Sequence, residues 1–96
     1  MSKITVVAKV VAKKVDVEAV KTELLKLILP TRKEGGCIEY RLHQDNQDSA
    51  VFLFYETWED AVSLEKHINT GHYKDYVRAV NGMIEEKVVS KMTRIE

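Results

Sequence analysis

The fold is decided by one stretch near the middle of the chain, Val51–Trp58, with the sequence VFLFYETW. Its apolar residues run without interruption through Tyr55, which is typical of a strand that is covered on both faces. After Trp58 the hydrophobic period changes from two residues to about 3.6, the period of an amphipathic helix. The apolar face of this helix carries Ala61, Leu64 and Ile68. The stretch therefore predicts a buried strand that leads directly into a helix.

The chain before this stretch predicts a strand, a helix and a second strand. Residues 4–11 are rich in valine on both faces, and Asp16 then suits a helix N-cap. Pro30 should kink or end the helix that follows, and Gly35-Gly36 should stop it. Residues 37–43 form the second strand, with Ile38, Tyr40 and Leu42 on one face. A polar turn separates this strand from Val51–Trp58, so the two strands are expected to form a hairpin.

The chain after the helix predicts a break, a second short helix and a last strand. Residues 69–71 interrupt the helical pattern, Asn81-Gly82 closes it, and residues 84–95 form the strand. The order is β-α-β-β-α-β, which predicts one α+β domain over residues 1–96, a ferredoxin-like fold with an antiparallel sheet and helices on one face. Because strands one and three are apolar on both faces, we expect a homodimer that packs sheet against sheet.

The composition excludes several classes of partner. Fifteen basic residues balance fifteen acidic ones, and the lysines are dispersed, so no surface for nucleic acid is predicted. No apolar run approaches the roughly 20 residues of a membrane helix. The N-terminus lacks the layout of a signal peptide, and Cys37 is the only cysteine, so no internal disulfide is predicted. These features favour a cytoplasmic protein with no membrane partner, in which Cys37 is a small buried apolar residue.

Residues capable of chemistry cluster between Glu56 and Tyr76. His72 is expected in the first turn of its helix, where the positive end of the helix dipole favours a neutral imidazole and hence a base. His67 is expected near the end of its helix, where the dipole favours a cation that anchors an oxyanion. Glu56 shares a strand face with aromatic residues, where a carboxylate is costly unless it is paired. We expect it to orient a histidine, or to pair with a basic residue of a neighbouring strand.

Purely structural roles compete with these assignments. Both histidines can be packed, hydrogen-bonded side chains, and Trp58 can belong to the core. Arg32, Lys33 and Glu34 are most simply solvated. No metal is predicted, because the two histidines are five residues apart and no cysteine or carboxylate is expected to complete a zinc-like set.

Three motifs carry a resemblance to a known family: Gly36-Cys37-x-x-Tyr40, Tyr55-Glu56-x-Trp58 and His67-x4-His72-x3-Tyr76. With them the chain resembles the antibiotic biosynthesis monooxygenase superfamily of dimeric α+β barrel proteins. It is most similar to small bacterial members of the quinol-monooxygenase kind, and to a related isomerase of a phosphorylated autoinducer product. The resemblance implies oxidation of a small quinol or phenol by O2 without metal, flavin, haem or other cofactor.

The same resemblance implies a set of site residues. The expected catalytic residues are His72, His67 and Glu56, and the expected substrate contacts are Trp58, Phe54, Tyr73 and Tyr76. Members that oxidise polyketides carry an asparagine where Phe54 stands and a tyrosine where Leu64 stands, so that activity is not expected. Haem degradation is not expected either, because the first strand is valine-rich and Tyr76 or Val77 falls at the position of the haem ligand.

Three functions are therefore open from the sequence. The first is a cofactor-independent oxygenase. The second is a related isomerase that moves a proton on a small hydroxy-ketone. The third is a dimeric ligand-binding or stress-response protein without catalysis.

Overall fold

The computed structural model describes residues 2–96. Within these residues, four strands and four helices follow one another, with a short 3₁₀ turn at Lys14–Asp16. In chain order they are β1 (Ile4–Ala12), α1 (Val17–Lys26), α2 (Ile28–Arg32), β2 (Cys37–Gln44), β3 (Val51–Trp58), α3 (Ala61–Ile68), α4 (Gly71–Ala79) and β4 (Ile84–Met92).

The strands form one antiparallel sheet in the order β2-β3-β1-β4. β2 and β3 are joined as the predicted hairpin, and β1 lies between β3 and β4. The predicted α+β architecture is confirmed, and each helical region consists of two helices. None of the helices within residues 2–96 is long and apolar enough to span a bilayer.

The breaks in the helices follow from the local sequence. Pro30 is the third residue of α2, and a proline has no amide hydrogen to donate to the carbonyl four residues earlier, at Lys26. The helical path is therefore divided at Leu27, and α2 ends at Arg32, before the glycine pair. Asp16 lies at the N-cap of α1, as predicted, but its side chain makes no capping hydrogen bond.

The core lies between the helices and one face of the sheet. Alternate residues of β1 and β3 point towards the helices and are buried, which is the two-residue period of a strand. From β1 they are Val6, Ala8, Val10 and Ala12, and from β3 they are Phe52, Phe54, Glu56 and Trp58. Glu56 is therefore a carboxyl group inside an otherwise apolar face, as the sequence predicted.

The other face of the sheet is open in the single chain. Its centre pairs Val7 of β1 with Tyr55 of β3, and Tyr55 is 39% exposed. Lys9 lies on the same face, so the face is apolar with a charged residue near its middle. This is the surface on which the sequence predicts a second copy of the chain.

One predicted face assignment on β2 is wrong. Ile38 was expected beside Tyr40, but it is 48% exposed, whereas Tyr40 is buried. The register of β2 against β3 shifts between Cys37 and Glu39, so one extra residue is inserted there. Such a bulge turns the inserted side chain away from the face that the alternation assigns to it.

The loop before β2 depends on a glycine. Gly36 has φ of +92°, and a Cβ atom added there would lie 2.1 Å from Oγ of Ser63 on α3. The amide of Glu59 also donates to the carbonyl of Gly36. The loop that carries Glu34 is therefore seated directly against the start of α3.

Gly36→Ala is expected to destabilise the protein by roughly 1–3 kcal/mol, because it adds backbone strain and a clash at the same position. Gly35→Ala is the matched control, since a Cβ at Gly35 meets no atom within 4 Å. Urea unfolding of the two variants measures the difference. Equal free energies of unfolding for the two variants would show that the close approach of Gly36 to Ser63 does not contribute to stability.

Candidate active site

A cavity lies between the inner face of the sheet and the helices α3 and α4. It has a volume of about 60 Å³, which restricts it to a compact ligand. Most of its wall is apolar, so a bound charge is poorly solvated and strongly influenced by nearby side chains. The polar residues in the wall are Tyr40, Glu56, His67, Tyr73, Tyr76 and Lys87.

His67 is the imidazole that lines this cavity. It lies in the last turn of α3 and is 2% exposed. Its Nδ1 lies 2.8 Å from Oε2 of Glu34, a residue of the loop between α2 and β2. A carboxylate accepts a hydrogen bond, so Nδ1 carries the proton and Nε2 keeps its lone pair. This is the tautomer of a histidine that serves as a base on its Nε2 side.

Burial decides the charge of His67. The rings of Trp58, Tyr73 and Tyr40 lie 4.8, 5.0 and 5.6 Å from its ring. Burial lowers the pKa of His67, and although the hydrogen bond and charge of Glu34 raise it, the net pKa stays below the usual value. The predicted role of His67 as a cation is therefore corrected: the helix dipole is outweighed by desolvation, and the neutral form is favoured.

His72 lies behind His67 rather than in the cavity wall. Its Nε2 is 2.6 Å from the same Oε2 of Glu34, and its side chain is 25% exposed. His72 lines a separate depression of about 140 Å³ that includes Glu23 and Asp75. The prediction that His72 is the base in contact with substrate is therefore corrected, because Glu34 and His67 separate it from the cavity.

Glu34 is the residue that the sequence analysis missed. It was expected to be solvated, but its side chain is only 12% exposed and accepts from both imidazoles. It is 33 and 38 residues away from them in the chain. The adjacent Gly35-Gly36 pair was the one signal available, since it marks a loop that can approach another element closely.

Thr70 links the end of α3, which carries His67, to the start of α4, which carries His72. Its hydroxyl donates to the carbonyl of His67 at 2.7 Å and accepts from the amide of Tyr73 at 3.3 Å. It is thus the N-cap of α4 and a link to the end of α3. The break at residues 69–71, which the sequence predicted, positions both imidazoles around Glu34.

Glu56 contributes a second titratable group to the cavity. It is 5% exposed, and its Oε1 accepts a hydrogen bond from Nε1 of Trp58 at 2.9 Å. Burial raises the pKa of Glu56 to about 7, helped by the negative charge of Glu34 and opposed by the Trp58 hydrogen bond and Lys87. The expectation that Glu56 orients a histidine is corrected, because its hydrogen-bond partner is the indole.

Trp58 and Phe54 occupy different layers of the site. Phe54 lines the cavity and stacks on Tyr40 at 4.6 Å, and its contact with substrate stays a prediction. Trp58 is fully buried and does not line the cavity. Its predicted contact with substrate is therefore revised: it holds Glu56 by a hydrogen bond and packs against His67.

The two tyrosines and a lysine form the rim. Tyr73 and Tyr76 line the cavity with their rings 5.9 Å apart, and their contacts with substrate stay a prediction. Nζ of Lys87, on β4, donates to the hydroxyl of Tyr73 at 3.0 Å. Lys87 was not among the predicted site residues, because its sequence neighbours suggested only dispersed charge. It is the one cationic side chain among the lining residues of the cavity.

The structure changes two further expectations. Cys37 is only partly buried and packs against the core, and burial together with Glu34 and Glu56 raises the pKa of its thiol to about 11. It is therefore a thiol and not an activated nucleophile.

The expectation that no carboxylate joins the two histidines is wrong, because Glu34 lies between them and the three ligand atoms are within 4.8 Å of one another.

The raised pKa of Glu56 predicts a pH-dependent stability. Its pKa in the folded protein, about 7, lies above the usual value of 4.5, so the folded protein holds this proton more tightly. The stabilisation is complete below pH 4.5 and is lost as the pH rises through 7, with a size of roughly 3 kcal/mol.

Glu56→Gln is expected to remove this dependence, because the amide oxygen still accepts from Trp58 and does not titrate. Urea unfolding of both proteins between pH 5 and pH 8 gives the comparison. If the free energy of unfolding depends on pH in the same way in both proteins, the raised pKa of Glu56 is contradicted.

The family of the chain follows from comparison with known proteins. The model of the family described as antibiotic biosynthesis monooxygenase matches residues 3–79. Among solved structures, the protein PA3566 of Pseudomonas aeruginosa is 33% identical, with a TM-score of 0.96, and the match covers 100% of this chain and 97% of that one.

Two further relatives agree with this match. A structure described as an antibiotic biosynthesis monooxygenase is 28% identical with a TM-score of 0.91, covering 97% of this chain and 99% of that one. An uncharacterized Synechocystis protein is 29% identical over 68 residues, 71% of this chain. The match spans 46% of that relative, so less than half of its length is represented. With its sheet, its helices and its cavity all in place, the chain belongs to the antibiotic biosynthesis monooxygenase family.

Proposed function

We propose that the protein is a cofactor-independent monooxygenase that oxidises a small quinol or phenol with O2. The observation that carries the proposal is the placement of His67: its ring lines an apolar cavity while Glu34 holds its Nδ1 at 2.8 Å. Oxygen reacts with electron-rich anions, so such an enzyme needs a base that makes the phenolate in a dry pocket. His67 supplies that base.

The reaction balances without a reductant other than the substrate. Nε2 of His67 takes the phenol proton, and the phenolate passes electrons to O2 and forms a carbon–oxygen bond. Loss of the ring hydrogen and cleavage of the O–O bond leave one oxygen atom in a quinone and release the other as water. For a hydroquinone the products are a hydroxyquinone and water. The substrate supplies all four electrons that O2 accepts.

Lys87 and Tyr73, at the rim of the cavity, favour binding of the phenolate over the neutral phenol. Lys87 and the hydroxyl of Tyr73 lie at the same side of the cavity and are joined by a hydrogen bond. A phenolate oxygen near them gains a charge-assisted hydrogen bond. Phe54 and Tyr76 provide the flat apolar surfaces that suit an aromatic ring.

The functional form in this proposal is a cytoplasmic homodimer. The open face of the sheet carries Val7, Val11 and Tyr55, and a second copy packed there would remove this apolar surface from water. Such packing makes the dimeric α+β barrel that the family resemblance implies.

A second candidate, an isomerase of a small hydroxy-ketone, is favoured by one observation. Glu56 and His67 line the same cavity with their pKa values displaced in opposite directions, the first raised to about 7 and the second lowered. A protonated carboxyl and a neutral imidazole in one pocket form an acid–base pair that can move a proton between neighbouring carbons.

The experiment that separates these functions uses the full chain with a panel of hydroquinones, phenols and hydroxy-ketones. An oxygenase consumes one O2 per quinone formed, whereas an isomerase exchanges substrate hydrogen for deuterium in deuterated water without oxygen uptake. A ligand that binds without either reaction would overturn both functions and favour a binding protein.

A further inference from the structure

We propose that Glu34, His67 and His72 form a binding site for one divalent transition-metal ion of the Zn2+ class. Oε2 of Glu34 lies 2.8 Å from Nδ1 of His67 and 2.6 Å from Nε2 of His72, and the three atoms lie within 4.8 Å of one another. Two imidazoles and a carboxylate are a recurrent ligand set for Zn2+ and for other borderline first-row ions.

The distances between these three atoms allow a metal ion to replace the two protons that the imidazoles donate to Glu34. Two ligands at about 2.1 Å from a common metal, at angles of 90–110°, lie roughly 3.0–3.4 Å apart. The present distances from Oε2 are hydrogen-bond distances, so Glu34 must move away from both nitrogens by several tenths of an ångström to admit the ion. The two nitrogens, now within 4.8 Å of each other, must lie within about 3.4 Å, which requires the partly exposed His72 side chain to rotate towards His67. Each imidazole then moves the proton that it donated to Glu34 onto its other ring nitrogen, and the metal takes the place of both hydrogen bonds.

The ligands come from three separate elements that are each held in place. Glu34 lies in the loop that Gly36 seats against Ser63, and Thr70 links the carbonyl of His67 to the first turn of α4, which carries His72. The side chains of His67 and Glu34 are 3% and 12% exposed, whereas that of His72 is 25% exposed. The ion therefore enters from the side of His72, where water supplies a remaining ligand.

Metal binding at this position changes what His67 presents to the cavity. A neutral imidazole carries one proton, so a metal on Nδ1 moves the proton to Nε2. The cavity then faces an N–H donor where it faced a lone pair. The metal-loaded protein should bind ligands that accept a hydrogen bond from His67, but should not deprotonate a phenol.

Zn2+ alone, and Co2+ as a spectroscopic probe, test the site on the full chain. We expect one ion per chain by elemental analysis after dialysis, and cobalt absorption bands typical of bound imidazole. Glu34→Gln and His72→Gln should each weaken Zn2+ binding on the order of 100-fold, because each removes one of three ligands. His43→Gln is the control, since His43 is exposed on β2 and hydrogen-bonds only to the carbonyl of Leu53.

The result that would overturn the site is Zn2+ affinity that is equal in the parent chain, Glu34→Gln and His72→Gln, or no bound ion at micromolar Zn2+. Circular dichroism confirms that the variants are folded before binding is compared. The measurement needs no turnover, so the metal site and the proposed oxygenase can fail independently. Nitrogen chemical shifts of His67 provide a second readout: Zn2+ should move its proton from Nδ1 to Nε2.

Discussion

His67→Asn is expected to lower kcat/KM by roughly 10²–10⁴-fold, the usual contribution of a general base. The Asn side-chain amide can still donate to Glu34 from about the position of Nδ1, so the hydrogen bond that links the loop to α3 is kept. The variant has no lone pair at the position of Nε2 and cannot take the substrate proton. Steady-state oxygen uptake, or proton exchange if the isomerase is the active function, measures the loss.

His43→Asn is the matched control for this substitution. His43 is exposed on β2 and does not line the cavity, so its replacement should leave kcat/KM unchanged. Full activity of His67→Asn, with thermal unfolding close to that of the parent chain, would show that the cavity works by binding and packing alone.

Glu34→Gln is expected to cause a loss of similar size, roughly 10²–10⁴-fold, although Glu34 does not line the cavity. The carboxylate oxygen accepts from two imidazoles, whereas the amide that replaces it has one accepting oxygen and a donating NH2 group. Both imidazoles donate to the same oxygen, Oε2, and a glutamine oxygen in its place accepts from them without the negative charge. The positive charge that forms on His67 as it takes the substrate proton is then no longer balanced by Glu34, so His67 is a weaker base.

Glu65→Gln is the control for the lost charge, because Glu65 is an exposed acid on α3 two residues before His67. It should retain the activity of the parent chain. A split between the two readouts is also expected: Glu34→Gln should reduce kcat more than it raises KM, because Glu34 acts through His67 and not on the bound substrate. If Glu34→Gln and Glu65→Gln lose the same amount of activity, the loss comes from removing a negative charge near the site and not from the contact between Glu34 and His67.

Patterns among neighbouring residues correctly predicted the strand and the helix that carry this site. The unbroken apolar run of β3 and the change to a helical period after Trp58 are both found where the sequence places them. The alternation along β3 also placed Glu56 on the buried face. These features depend on neighbours in the chain, which is why periodicity and turn residues are sufficient to predict them.

The roles within the site depend on contacts between distant parts of the chain. The effect of a helix dipole depends only on where His67 and His72 lie in their own helices, whereas rings from β2, β3 and α4 desolvate His67 and lower its pKa. Glu34 was missed for the same reason, since a polar residue after a helix gives no sign that two later helices will close around it.

In the proposed mechanism the metal-free protein presents His67 to the cavity as a neutral base, with its proton on Nδ1 and its lone pair on Nε2. Two-dimensional ¹⁵N–¹H NMR of the histidine side chains at pH 7 measures this directly, with His67→Asn to assign the signals. We expect a protonated Nδ1 and an unprotonated Nε2 in His67. A proton on Nε2, or protons on both nitrogens, would contradict it.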